Sequence, residues 1–153
     1  MIIHLARIPE DGERLVGQDS GSILDLTRET GLRVESPVHY DVMVHVVSGR
    51  VIVKGAVQVA MAFTCSKCAD VFQVTVCEPR FECIREFRDV TESVDLTDEL
   101  REAILLNFPN FPVCRPACQG LCPRCGANLN AGPCGCGRFE EDDAGGPFGG
   151  LKL

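Results

Sequence analysis

The sequence predicts an α+β fold: an antiparallel β-sheet or partly closed barrel over about residues 38 to 87, one helix near residues 96 to 108, and a cysteine-rich C-terminal segment. Three observations carry that prediction. Apolar and polar residues alternate through successive stretches of the first half, one later stretch has helical spacing, and the composition changes abruptly at Cys114.

The N-terminal part is weakly patterned. Residues 2 to 8 read as a strand, residues 11 to 12 and 17 to 21 as turns, and residues 22 to 30 as a short helix or strand. From Val38 the period is clear. Val38, Tyr40, Val42, Val44 and Val46 alternate with polar or less apolar neighbours, which marks a strand with one apolar face. Ser48-Gly49-Arg50 is a turn. Val51, Val53, Val57, Val59, Met61 and Phe63 then line one face of a long second strand, with Gly55 at the position of a bulge. After Cys65-Ser66-Lys67-Cys68-Ala69-Asp70, a third strand starts with Phe72, Val74 and Val76. Pro79 breaks its register, and Phe81, Cys83 and Phe87 resume the alternation. Three such strands in succession form an antiparallel meander.

Residues 82 to 102 hold eight acids against Arg85, Arg88 and Arg101. Asp95 is placed to cap a helix, early acids suit its dipole, and Leu96, Leu100, Ala103, Ile104 and Phe108 fall on one face before Pro109. The acidic residues are read as the solvated back of a core-packing helix.

A chain of 153 residues suits a single domain, here residues 1 to 139 (strand-rich 1 to 90, the helix, then the cysteine-rich segment 114 to 136) followed by an acidic and then Gly-rich tail, 140 to 153. The net charge of −7 argues against bulk attraction to nucleic acid or to an anionic membrane. No apolar run reaches the ~20 residues of a membrane span. The first residues lack the basic-then-apolar pattern of a signal peptide. The expected location is the cytoplasm or an equivalent reducing space.

In such a space ten cysteines point to metal rather than to disulfides. The segment 114 to 136 has six cysteines and almost no aliphatic residues, so apolar burial cannot offset the entropy of ordering it. Cys122-Pro123-Arg124-Cys125-Gly126 is a turn that aims two thiolates at one ion, and Cys134-Gly135-Cys136 lies one loop later. Tetrahedral zinc takes four such ligands. Cys65 and Cys68 form a second pair at a strand-to-strand turn, the usual knuckle of a zinc ribbon, and Cys114 and Cys118 are left to complete it. Two zinc sites follow: Cys65, Cys68, Cys114 and Cys118, then Cys122, Cys125, Cys134 and Cys136. The alternative is one site built from Cys114, Cys118, Cys122 and Cys125. Cys77 and Cys83, in strand context, are read as plain buried thiols.

Four thiolates leave no position for water or substrate, and no nucleophile elbow, phosphate loop or paired-carboxylate motif is present, so the expectation is a protein without catalytic residues. A thiol redox protein using a C-x-x-C pair is the alternative from another class, although neither pair opens a helix in a βαβ pattern. His4, His39 and His45 lie away from the cysteine-rich end. A zinc-ribbon nucleic-acid adaptor is a further alternative. Arg115, Arg124 and Arg138 are the only charged side chains between Ala103 and Phe139 and are the candidates for RNA contact. They first offset thiolate charge, so direct RNA binding is expected to be weak.

The residues also carry a resemblance. Cys65-Ser66-Lys67-Cys68 with Val71-Phe72, Asp95-Leu96, the run from Ile104 through Asn107-Phe108-Pro109-Asn110-Phe111-Pro112 to Cys114, Gly120-Leu121-Cys122-Pro123-Arg124-Cys125-Gly126-Ala127-Asn128-Leu129-Asn130, and Pro147-Phe148 with Leu151 resemble the YceD family of bacteria and plastids. The resemblance covers roughly residues 40 to 153. It implies a ribosome-biogenesis factor linked to accumulation of large-subunit ribosomal RNA, with a large-subunit ribosomal protein or a pre-ribosomal particle as the implied partner. It implies no catalytic residue.

Overall fold

The computed structural model describes residues 1–26 and 32–136. The strands are β1 (Ile2–His4), β2 (Glu13–Asp19), β3 (Arg33–Val34), β4 (Val38–Val47), β5 (Arg50–Thr64), β6 (Val71–Glu86) and β7 (Ser93–Asp95), and the helix α1 is Thr97–Leu106. All pairings are antiparallel. The larger sheet runs β2, β4, β5, β6, with the short β3 continuing the β4 side of β5 at Met61 and Ala62. Among the described residues β2 and β6 do not pair, so the sheet is open rather than closed into a barrel.

The hairpin β4–β5 closes Val47 on Arg50 through Ser48 and Gly49, both with positive φ, the turn whose twist matches its strands. Between β5 and β6 the register shifts: Gly55 faces Phe81, whereas Val57 faces Glu78. β6 therefore carries one extra residue at Pro79–Arg80, where a missing N–H is tolerated. The shift changes which positions face inward, from Val76 on one side of the bulge to Phe81 on the other. Gly55 is required by its neighbours, because a Cβ there would stand 2.1 Å from the Asp41 carbonyl oxygen and 2.6 Å from Val42 Cα.

One face of this sheet is the core. Val42, Val44, Val51, Val53, Val57, Val59 and Met61 are at most 1 % exposed, and Leu96, Leu100 and Ile104 of the helix region cover them. The N-terminal residues close the other side of the helix: β1 pairs with β7, and the Met1 carbonyl accepts from the Leu96 N–H at 2.8 Å. Asp95, expected as the cap of α1, lies one residue before the N-cap position, which Leu96 fills without a side-chain bond; Asp95 Oδ1 still accepts from the first helical N–H, that of Thr97, at 3.0 Å. No helix among the described residues is long and apolar enough to cross a membrane.

Several expectations need correction. The strand expected over residues 2 to 8 stops at His4, and Leu5–Arg7 is a 3-10 turn that buries Leu5. Glu13–Asp19, expected as a turn from residue 17 and without a reading before it, is an edge strand; its exposed side chains and Gly17 hid a period that only pairing with β4 reveals. Residues 21 to 24 form a 3-10 turn, and 27 to 31 lie outside the described residues. Cys77 is exposed because it points away from Val76, and Cys83 is only half-buried. Phe108, expected on the packing face of the helix, lies just beyond it and packs edge-on against Phe63 at 5.5 Å, while Phe111 is 82 % exposed. The acidic tail lies outside the described residues, as do Phe148, Leu151 and Leu153.

Gly55→Ala forces a methyl into the β4 backbone. It is expected to lower stability by about 1–3 kcal/mol, read as a lower urea midpoint with an unchanged slope at constant free metal concentration.

Candidate metal centres

The turn between β5 and β6 is a tight knuckle. The Cys65 N–H donates to the Asp70 carbonyl at 2.8 Å, the Ala69 N–H donates to the Cys65 carbonyl at 3.0 Å, and Ala69 takes a left-handed φ of 60°. This geometry turns Cys65 and Cys68 to one side. The chain leaving α1 returns to the knuckle, where the Ser66 N–H donates to the Pro112 carbonyl at 2.8 Å. Cys114 and Cys118 then face the first pair. The four Sγ atoms all lie within 4.8 Å of one another. Cys65 and Cys118 are 3.9 Å apart, Cys68 and Cys114 3.7 Å. Four sulfurs around one ion at ~2.3 Å would be separated by about 3.8 Å. These separations are far beyond the ~2.05 Å of a disulfide, and all ten thiols are free. Phe72 packs against both the main core and this cluster, so the centre is continuous with the sheet.

The sulfurs are supplied with donors. The Lys67 and Cys114 N–H groups each donate to Cys65 Sγ at 3.4 Å. Burial pushes the Cys65 thiol up, but the N–H groups of Cys114, Cys68 and Lys67 outweigh it and bring it down to about 6. Asn130 Nδ2 donates to Cys118 Sγ at 3.4 Å and is the main cause of a lowered Cys118 thiol. Cys114 is raised by burial and by Cys118 beside it. Cys68 is raised as well: the Asp70 N–H favours its thiolate, but burial, Cys65, Cys118 and the Asp70 carboxylate prevail. Two thiols of each kind in one space are what like-charge repulsion dictates. A dication removes the repulsion and lets all four bind as thiolates.

The second quartet is built by a smaller knuckle. The Cys122 N–H donates to the Ala127 carbonyl and the Gly126 N–H to the Cys122 carbonyl, both at 2.8 Å, with Gly126 at φ 72°. Cys134 and Cys136 come back to it, and the four Sγ atoms again lie within 4.8 Å of one another. Backbone N–H groups of Cys125 and Arg124 bring the Cys122 thiol down to about 6, and Cys125, burial and Cys134 push Cys136 up to about 12. Cys114 and Cys118 thus group with the sheet knuckle, not with Cys122 and Cys125. Each closed set of four sulfurs has the donor chemistry of zinc or of an iron–sulfur cluster.

Three polar residues missed by sequence reasoning hold the first quartet. Asp70 Oδ2 accepts from Cys68 Sγ at 3.3 Å and from Asn128 Nδ2 at 2.8 Å. Asn128 Oδ1 accepts from Asn130 Nδ2 at 2.9 Å, which also reaches Cys118. A chain of contacts therefore runs from one thiol of the centre to another through Asp70, Asn128 and Asn130. The available signal was Asn128 as a cap: its Oδ1 accepts from the Asn130 N–H at 3.0 Å and opens the 3-10 turn Leu129–Ala131, which holds Asn130 beside it. Arg115 Nη2 donates to Asn130 Oδ1 at 2.9 Å, and Arg124 Nη1 to the Cys136 carbonyl at 3.4 Å. Arg138 lies outside the described residues.

Comparisons with known proteins place the chain in a family. The model of the family described as large ribosomal RNA subunit accumulation protein YceD matches residues 53–153. The chain is similar to the chloroplastic large ribosomal RNA subunit accumulation protein YCED homolog 1 of Arabidopsis thaliana, 38 % identical over 66 residues, which is 43 % of this chain and 21 % of that protein. It is also similar to an uncharacterized protein of Mycobacterium tuberculosis, 32 % identical over 136 residues, or 80 % of this chain and 59 % of the relative. The chain therefore spans less than two thirds of the length of these relatives. No solved structure matches.

Loss of an outer-shell donor weakens a metal centre. Asn130→Ala is expected to lower metal affinity at the first quartet by about 10–100-fold, and Asn130→Asp by more, since a carboxylate then faces the Cys118 sulfur. Cobalt(II) titration followed by sulfur-to-metal charge-transfer absorption measures both.

Proposed function

Because this chain belongs to the YceD family, we propose that it is a zinc-binding ribosome-biogenesis factor without catalytic activity, supporting accumulation of large-subunit ribosomal RNA through a ribosomal-protein or pre-ribosomal partner in the cytoplasm. The observation that carries the metal half of this reading is the pair of four-sulfur sets, each with all Sγ atoms within 4.8 Å. Zinc is favoured because four thiolates in tetrahedral array are its usual structural coordination. All four positions are used, so neither centre has room to activate water, and the role left to the ions is to order the chain.

The partner half rests on the family and on charge. A net charge of −7 is unsuited to counterion-driven binding of bare RNA, and each zinc with four thiolates adds a formal double negative charge. Arg115 and Arg124 are exposed but lie beside those sulfurs. Association with a protein or a ribonucleoprotein particle fits this surface better than capture of naked RNA.

Protein purified without chelator should contain two zinc ions per chain by elemental analysis and native mass spectrometry. Removing both should release eight reactive thiols and abolish the folded signal. A chain that stays fully folded without metal and shows one reactive low-pKa pair would instead support the thiol redox reading.

In cell extracts the protein should co-sediment with large-subunit precursor particles on a ribosome gradient. In gel-shift titrations at physiological salt, the isolated zinc-loaded protein should bind large-subunit RNA fragments no more tightly than micromolar. Sub-micromolar, sequence-selective binding would overturn the adaptor reading and make Arg115, Arg124 and Arg138 the first residues to mutate.

A further inference from the structure

The two quartets have the same chemistry but different settings. In the first, Cys65 and Cys68 are 2 % exposed and Cys118 6 %, and apolar Phe72 and Val113 pack against them. In the second, Cys122 is buried, Cys134 and Cys136 are half-buried, and Cys125 is exposed. No residue from 123 to 136 is buried. A Cβ added at Gly126, Gly132 or Gly135 would meet no atom within 4 Å, so the loop that closes this quartet stands against open solvent.

The connections differ in the same sense. The first quartet joins positions 46 and 53 residues apart, and so ties the sheet to the chain beyond the helix. The second closes only the local loop from Cys122 to Cys136. What fastens this lobe to the body lies before its last two ligands. The Leu121 N–H donates to the Lys67 carbonyl at 3.0 Å, the Leu129 N–H to the Gly120 carbonyl at 2.9 Å, and Asn128 and Asn130 reach Asp70 and Cys118. None of these bonds passes through Cys134 or Cys136.

We propose that the Cys122, Cys125, Cys134, Cys136 centre is an exchangeable metal site, which takes up and gives up a borderline-soft divalent ion while the Cys65, Cys68, Cys114, Cys118 centre and the sheet stay intact. The inference rests on the metal-binding reading of both quartets given above. Ligand exchange at a filled thiolate centre needs an incoming donor to reach the ion as one sulfur leaves, and exposed Cys125 provides that approach. The exchange partner is a small thiol or another chelating donor able to pass between the glycines of the loop. Opening the Gly132–Cys136 arm is a local event, whereas opening the first centre releases the core.

Zinc-saturated full chain mixed with an excess of a metallochromic chelator tests this, with zinc release followed by the absorbance of the chelator complex and the fold by circular dichroism and Tm. One equivalent should leave at least about tenfold faster than the other, with the sheet signal unchanged until the second leaves. Cys125→Ser and Cys134→Ser should each remove the fast equivalent and keep the slow one and the sheet; Cys68→Ser should lose the fold. Two equivalents leaving together with the sheet signal, a fast equivalent surviving in Cys134→Ser, or unfolding of both Ser variants of the second quartet would overturn the proposal. A saturated chain that holds no zinc at all would overturn the metal reading itself, a result distinct from those three.

Discussion

Everything downstream of the sheet depends on four thiols meeting where the β5–β6 turn faces the chain that leaves α1. Cys65 and Cys68 come from the knuckle, Cys114 and Cys118 from a segment with little apolar surface of its own. Without a cation the four cannot all ionise, and the split into lowered and raised thiols is the trace of that conflict. With one, the repulsion becomes a bond network that holds the sheet to the C-terminal segment. Lys67 then serves as the base of the next knuckle, since its carbonyl accepts from Leu121. The second quartet is thus built on the first.

The sheet's contribution is to bring the knuckle to the right place. β5 and β6 are long, and a uniform register over their length would keep one set of β6 positions inward throughout. The extra residue at Pro79–Arg80 lets Phe72 and Val76 face the core on one side of it and Phe81 on the other. Phe63, at the knuckle end of β5, packs on Phe72 and on Phe108 just past the helix. That aromatic contact brings the end of α1 to the knuckle, so Pro112 can accept from Ser66 and Cys114 can donate to Cys65.

What was legible in the sequence follows from how local each signal is. Val51, Val53, Val57 and Val59 announce a buried strand face by themselves, and Gly55 with Pro79 announces the bulge. Paired cysteines announce ligands because their spacing reflects a turn. Glu13–Asp19 could not be read this way, because an edge strand with an exposed face borrows its period from its neighbour. Cys77 was misread because membership of a strand does not say which face a residue takes. Asp70, Asn128 and Asn130 escaped for a further reason: an amide gains its role from partners up to 58 residues away.

The charge pattern around the first centre bears on what approaches it. The segment from Ala103 to Phe139 has no acid of its own, yet Asp70 from the knuckle places a carboxylate against Cys68 and Asn128. Arg115 follows Cys114 directly, and its guanidinium is engaged with Asn130 Oδ1. The same Asn130 donates to Cys118 Sγ. A phosphate that drew Arg115 away would remove one of the two donors to Asn130 Oδ1 and leave the Gln119 N–H, at 3.0 Å, as the other. A protein surface places no such demand: it can cover exposed Phe111 and Leu121 and leave Arg115 where it is. Contact through these two side chains would leave the Arg115–Asn130 bond and the bond from Asn130 to the Cys118 sulfur undisturbed.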